Sequence, residues 1–194
     1  AQLRFNFSSS FPHEFTSLTA SPFNWLETTY RYTEIKNKNY GPSAYSNNQS
    51  LKDKGFDVKV RILRESYFLP SVALGLRDVA GTGLFSSEYI VSSKKFNNLD
   101  VSLGVGWGIM GTESNISNPL KSFSESFKTR NDSLGNGGEF SLKNWFSGDA
   151  ALFGGLEYDL PRKGLRLKLE YDTSNPDYRN IVPDVKSRIN LGIN

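Results

Sequence analysis

The sequence predicts an all-β protein: an antiparallel, up-and-down transmembrane β-barrel of about ten strands, with short turns at one end and long loops at the other. Three observations carry this expectation. Apolar side chains recur at every second residue in segment after segment, and no stretch of useful length has the 3.6-residue period of an amphipathic helix. Long connections alternate with short ones along the chain, as a meander with unequal ends requires. Aromatic residues gather near the presumed strand ends, while the non-apolar strand faces mix charges of both signs.

The elements follow in order. Residues 2–8 alternate Leu3, Phe5 and Phe7 with Arg4, Asn6 and Ser8, a strand with one apolar face. A Thr/Ser-rich strand over 14–20 is expected to stop at Ser21-Pro22, because proline gives no N–H to a ladder. From 24 to 33, Leu26, Thr28, Tyr30 and Tyr32 oppose Glu27, Thr29, Arg31 and Thr33. The polar stretch 35–54, with Gly-Pro and paired Asn, reads as a long exposed loop. Phe56, Val58, Val60 and Ile62 then alternate with Asp57, Lys59 and Arg61. A central trio of strands is expected over 72–79, 84–94 and 99–109, joined through AGTG at 80–83 and FNN at 96–98. In the last of the three, Val101, Leu103, Val105, Trp107 and Ile109 share one face, and Asp100, Ser102, Gly104, Gly106 and Gly108 the other. A long irregular segment covers 111–147. Strands over 150–159 and 165–172 flank a tight turn at 160–164, 173–186 is a loop, and Ile189, Leu191 and Ile193 make a final strand.

All the long connections (35–54, 111–147 and 173–186) fall in the set that also holds 10–13 and 80–83. The alternate set, 21–23, 67–70, 95–98 and 160–164, holds only short turns. The whole chain, 1–194, is read as one barrel domain.

Composition narrows the function classes. Charged residues at 22% and aromatics at 13% exclude a disordered chain, and hydrophobic residues at 37% are few for a soluble core. No apolar run is long enough for a transmembrane helix, so a membrane role would fall to strands, which hydropathy does not reveal. The absence of cysteine excludes disulfides and thiolate metal sites. A net charge of +3 is too balanced to suggest nucleic acid. The N-terminal AQLRFNFSSS lacks the apolar middle of a secretion signal.

Which strand face meets which medium decides the rest. A soluble lipocalin-like barrel turns its apolar face inward, and a membrane barrel turns it to lipid. The girdle candidates favour lipid: Trp25, Tyr67, Phe68 and Phe96 by the short turns, and Tyr30, Tyr32, Trp107 and Trp145 towards the loops. The polar face would then line a lumen through Arg31, Asp57, Lys59, Arg61, Arg77, Asp78, Glu88, Arg166, Lys168 and Glu170. These side chains are candidate gating or glycan contacts, and equally candidates for cross-lumen ion pairs that plug it. Arg77, Asp78 and Glu88 are expected near one barrel mouth. Gly104, Gly106 and Gly108 either clear space for a ligand or admit bulky neighbours. The single histidine, His13 beside Pro12, lies in a turn and makes a poor catalytic base. No nucleophile elbow, His-rich metal spacing or phosphate loop occurs, so neither an enzyme nor a cofactor or metal site is expected.

Longer stretches are more specific than any of these residues. PSVALGLRDVAGTGLFSSEYIVSSKKFNNLDVSLGVGWG at 70–108, WLETTYRYTE at 25–34, YGPSAYSNNQSLKDKGFDVK at 40–59 and SGDAALFGGLEYDL at 147–160 closely resemble the YjbH family of exopolysaccharide-associated outer-membrane proteins. The resemblance runs through almost the whole chain. It implies an outer-membrane β-barrel tied to polysaccharide production and export, without known catalytic activity, its partners being lipid, polysaccharide and other export proteins. Family members are usually longer, often lipoproteins, and carry further β-rich sequence. This chain, with no lipidatable cysteine and no terminal aromatic in INLGIN, reads as a portion of one. The leading expectation is therefore a non-enzymatic barrel component of exopolysaccharide secretion. An interaction barrel whose loops bind a partner, an outer-membrane enzyme and a soluble ligand-binding barrel are the alternatives.

Overall fold

In the computed structural model, residues 1–131, 144–161, 164–175 and 187–194 are described. Parts of the expected loops 111–147 and 173–186 and of the turn 160–164 lie outside them. Ten strands follow in order: β1 (Gln2–Ser10), β2 (His13–Phe23), β3 (Leu26–Asn39), β4 (Ser50–Leu63), β5 (Ser71–Arg77), β6 (Ser87–Phe96), β7 (Leu99–Gly108), β8 (Ala150–Asp159), β9 (Arg166–Tyr171) and β10 (Ile189–Ile193). One helical turn, α1 (Ser43–Ser46), and three short 3-10 turns complete the described structure. Among the described residues no helix is long and apolar enough to cross a membrane.

The strands form one antiparallel sheet in sequence order, from β1 to β10. The expected closed barrel is not what the pairing gives. β1 pairs with β2 and β10 with β9, and these two strands stand at opposite ends of the strand order. Closure would need a ladder joining them.

Two compact units divide the chain. The first holds Ala1–Lys59 and Leu76–Ser86; the second holds Val60–Gly75, Ser87 to Asn131 and the described residues beyond Asn144.

In the first unit β1, β2 and β3 pair in long registers, with Phe5 opposite Leu18 and Leu18 opposite Tyr30. β2 does not stop at Pro22. Its register with β3 shifts between Ala20 and Phe23, so a bulge takes up the proline and the ladder resumes beyond it. Phe23 and Trp25 stack at the turn, with ring centroids 5.4 Å apart. The expected loop 35–54 is shorter than the sequence suggests: β3 runs to Asn39, β4 begins at Ser50, and the Tyr40 N–H donates to the Gln49 carbonyl at 2.9 Å. Hydrophobic alternation misses these ends because their inward positions are partly filled by polar or small residues, Asp53 and Gly55 being buried on β4.

In the second unit β6 to β10 pair without a register shift. Cross-strand neighbours share a face, so the registers give two distinct surfaces. One carries Val101, Leu156, Leu169 and Leu191 in a row, with Leu99, Tyr158, Leu167 and Ile193 beside it. The other carries Asp100, Glu157 and Lys168, flanked by Ser102, Gly155 and Glu170. On the apolar surface Leu103, Leu156, Leu169 and Leu191 are exposed, Leu191 to 82%. The buried apolar side chains of this unit are instead Trp107, Ile109, Met110, Ala150, Ala151 and Ala73, most of them at the loop end of β7 and β8. The 3-10 turn Ile109–Gly111 starts where Gly108 takes φ 65°, ending β7 one residue before the expected Ile109.

Candidate functional site

Each unit contains its own charged cluster, and the second also carries an open polar face.

In the first unit, Arg31 on β3 is 5% exposed and its Nε lies 3.0 Å from Asp57 Oδ2 on β4. Its guanidinium carbon stands 5.7 Å from the centre of the Phe85 ring, within reach of a cation–π attraction. Asp57 Oδ1 also accepts from the Asp78 N–H at 3.0 Å. Asp78, immediately after β5, has φ 59°, a left-handed conformation that ends the strand. Its Oδ2 accepts from the Phe85 N–H at 3.1 Å, and Thr82 donates to Asp53 Oδ1 at 2.6 Å. Asp78 Oδ1 and Arg31 Nη2 are buried with no hydrogen-bond partner among the described residues. Two glycines leave room for that carboxylate: a Cβ on Gly55 would come within 2.6 Å of Asp78 Oδ1, and one on Gly81 would overlap it. Burial first, and the Asp53 carboxylate second, push the Asp78 carboxyl up to about 6.

In the second unit Glu88 is 2% exposed and fully engaged. Arg130 grips it with two bonds, Nη1 to Oε2 at 2.7 Å and Nη2 to Oε1 at 3.0 Å, and the Phe146 N–H donates to Oε2 at 2.9 Å. Asn118 holds the same loop, its amide nitrogen reaching the carbonyls of Phe127, Phe146 and Gly148 at 2.9–3.1 Å. Phe146 stands edge-on to Trp107 at 5.2 Å. Glu88 is opposite Trp107 in register, on the side of Ile90 and Val105. It therefore does not line the polar face where the sequence placed it. Of the residues expected near one mouth, Asp78 has its partners within the first unit and Glu88 within the second.

The open polar face of the second unit lies over β6 to β9. Ser93 and Ser102 share a hydrogen bond of 2.7 Å. Glu157 takes Lys168 at 3.1 Å and Arg166 at 3.2 Å, Arg166 also bonds Asp159 at 2.6 Å, and Lys95 reaches Asp159 at 3.1 Å. Glu170 stands on the same face, across from Gly155. The strand glycines admit bulky neighbours: a Cβ on Gly104 would overlap the Phe153 ring, one on Gly75 the Tyr89 ring, and one on Gly106 would meet Met110 Cβ at 2.6 Å.

The remaining expected residues are scattered. Lys59 is exposed, while Arg61 and Arg77 are half-buried. Of the aromatics, Trp25, Tyr67, Phe68 and Phe96 are exposed at the short turns, and Tyr30 is exposed and packs on Phe56 at 5.3 Å. Tyr32 and Trp145 are half-buried. Trp107 departs from the expectation: at 1% exposure it is a core residue beneath the loop and meets no surrounding medium. Sequence reasoning missed Asp53, Thr82, Asn118 and Arg130. Asn118-Pro119 is a helix-start signal, which the Asn118 side chain fulfils by accepting from the Leu120 N–H. Arg130 lies in a loop with no pattern to mark it. Among the described residues no group of three or more His, Cys, Asp or Glu side chains is placed to hold a metal.

The family model described as "Exopolysaccharide biosynthesis protein YbjH" matches residues 1–194. This chain belongs to the YjbH family. It is 43% identical over 194 residues to a protein of Escherichia coli strain K12 named "Uncharacterized lipoprotein YjbH", an alignment that covers 98% of this chain and 28% of that relative. The chain thus spans little more than a quarter of that relative's length. No solved structure matches it.

Proposed function

We propose that this YjbH-family chain is a non-catalytic part of an outer-membrane β-barrel that takes part in exopolysaccharide biosynthesis or export. The observation that carries the reading is the sidedness of the second unit. Its apolar face is exposed along Leu103, Leu156, Leu169 and Leu191, whereas the charges of its other face are largely spent on one another. A soluble sheet does the reverse, because a contiguous apolar surface in water is costly beyond a few hundred Å². In lipid the same arrangement is favourable. Tyr67, Phe68 and Phe96 cluster at the short turns of this unit, where amphipathic rings suit the headgroup region. The word lipoprotein in the relative's name agrees with a membrane location, and the family description supplies the polysaccharide. Unpaired strand edges are not tolerated in hydrocarbon, so in the membrane β1 and β10 would be paired. The polar face would line a lumen whose ion pairs crowd it, which favours an accessory or assembly role over open conduction.

The test is refolding in plain buffer, detergent and lipid vesicles, followed by circular dichroism and by quenching of single-tryptophan variants with lipid-borne quenchers. β structure that forms only with detergent or lipid, with Trp25 quenched at interfacial depth and Trp107 protected, is expected. A folded, monodisperse protein in plain buffer would overturn the membrane reading and favour a soluble ligand-binding sheet.

A further inference from the structure

We infer that the polar face of the second unit carries a binding subsite for a non-acidic hexose chain, floored by β7–β9 and walled by Phe153. A cavity of about 510 Å³ opens there, within the roughly 300–1,000 Å³ range of small-ligand sites. Three features give it a chemical preference. Phe153 lines the cavity half-buried, its ring tip accommodated by Gly104 and its ring edge-to-face with Tyr89 at 6.0 Å. An edge-to-face pair uses at most one face of a ring, and the C–H side of a pyranose is the polar-ligand surface that packs on such a ring.

The polar groups around Phe153 are mostly acceptors. Asp100, Glu157 and Glu170 stand against Lys168 alone as charged lining. Glu157 is already engaged by Lys168 and Arg166. Glu170 makes no hydrogen bond or ion pair among the described residues, and Asp100 makes none either, although the Arg166 charge acts on it and Lys95 faces it in register, so Glu170 carries the most open acceptor oxygens. The Ser93–Ser102 pair uses one hydroxyl proton between the two oxygens, leaving a second to donate. Such a lining suits hydroxyl or ammonium donors and opposes a further carboxylate, which would meet like charge in a partly desolvated groove. Neutral or amino-bearing hexoses fit, and uronic acids do not.

This inference rests on the exopolysaccharide reading for its ligand class, and the experiment separates the two. The full chain in detergent micelles is titrated calorimetrically with a glucose hexamer, a glucosamine hexamer and a galacturonate hexamer. Circular dichroism and Trp25 quenching are recorded on the same preparation. The glucose and glucosamine hexamers are expected to bind and the galacturonate hexamer not. Phe153→Ala should weaken binding at least about fivefold, a loss of about 1 kcal/mol, while Phe153→Trp retains it. Asp100→Asn with Glu170→Gln should weaken the glucosamine hexamer more than the glucose hexamer. No heat with either at up to about 10 mM, galacturonate binding best, or Phe153→Ala binding like the parent would each overturn the subsite. With a folded, lipid-quenched sample, such a result leaves the membrane reading intact; a sample that folds only as a soluble protein removes that reading whatever the titration gives.

Discussion

Asp78 and Glu88 are both buried carboxylates near the start or end of a central strand, yet they are handled in opposite ways. Glu88 receives a two-bond Arg130 fork and a backbone N–H. Asp78 receives one N–H on Oδ2 and leaves Oδ1 unpaired, with Asp53 and Asp57 as neighbours and an Arg31 whose nearest bond goes to Asp57. Burial and the neighbouring Asp53 push the Asp78 carboxyl up to about 6. A paired buried acid anchors structure, and an under-paired one becomes a titrating group. Glu88 thus ties Arg130 and Phe146 together, while the turn after β5 holds the acid whose proton affinity is raised.

The largest effect should come from breaking the satisfied pair. Glu88→Gln leaves the Arg130 guanidinium, and Arg130→Met the Glu88 carboxylate, buried without its ionic partner. Each is expected to cost about 3–5 kcal/mol. Joint replacement by apolar residues should recover most of that loss. Urea unfolding in detergent micelles, followed through Trp107 emission, reads it, because Phe146 of the same loop packs on that indole. Single variants that unfold at the parent midpoint would mean that the loop, not the pair, sets the stability.

The under-paired acid should give a pH dependence of the opposite kind. A folded-state pKa raised from 3.8 to about 6 means the folded protein holds the proton more tightly than the unfolded chain. That contribution is fully present below about pH 4 and is lost as pH rises through about 6. The first unit should be more stable at pH 5 than at pH 7.5 by about 1.4 kcal/mol, part of the roughly 3 kcal/mol approached in stronger acid, and Asp78→Asn should remove that component. The decisive quantity is the difference between the urea midpoints of parent and variant at each pH, followed through Trp25. A difference that does not change with pH would place Asp78 outside the titration.

The contrast between the two acids was only half legible in the sequence. Alternation located the strands at 99–109 and 150–159 because one face of each is uniformly apolar, and the registers bear that out. It failed at Ile35–Asn39 and Ser50–Lys54, where the buried positions are filled by a single isoleucine and by the polar Asp53, so no run of apolar residues marks the strand. Asp78 could be singled out as an acid beside a Gly-rich turn. Its neighbours could not, because Arg31, Asp53 and Asp57 reach it through the packing of β3 and β4, which no spacing encodes. The pattern groups Glu88 with Ser86 on the polar side, but β6 begins only at Ser87 and within it Glu88 shares its face with Ile90. Its partner Arg130 comes from a loop whose path is set by Asn118 and by backbone carbonyls.

A smaller effect probes why Asp78 is left short of partners. Gly81 and Gly55 border its free oxygen, and a methyl group on Gly81 would overlap Asp78 Oδ1 and stand 2.7 Å from the Lys54 carbonyl. Side chain and backbone must both give way, so Gly81→Ala should cost about 1–2 kcal/mol, as modest overpacking does. Much of that strain is against the carboxylate. In an Asp78→Ala background the same substitution should therefore cost less, the remainder being its contact with the Lys54 carbonyl. The coupling between the two positions then measures how far the glycines exist to accommodate this acid. Additive costs in the two backgrounds would assign Gly81 to the backbone turn alone, and the buried acid would owe its space to Gly55.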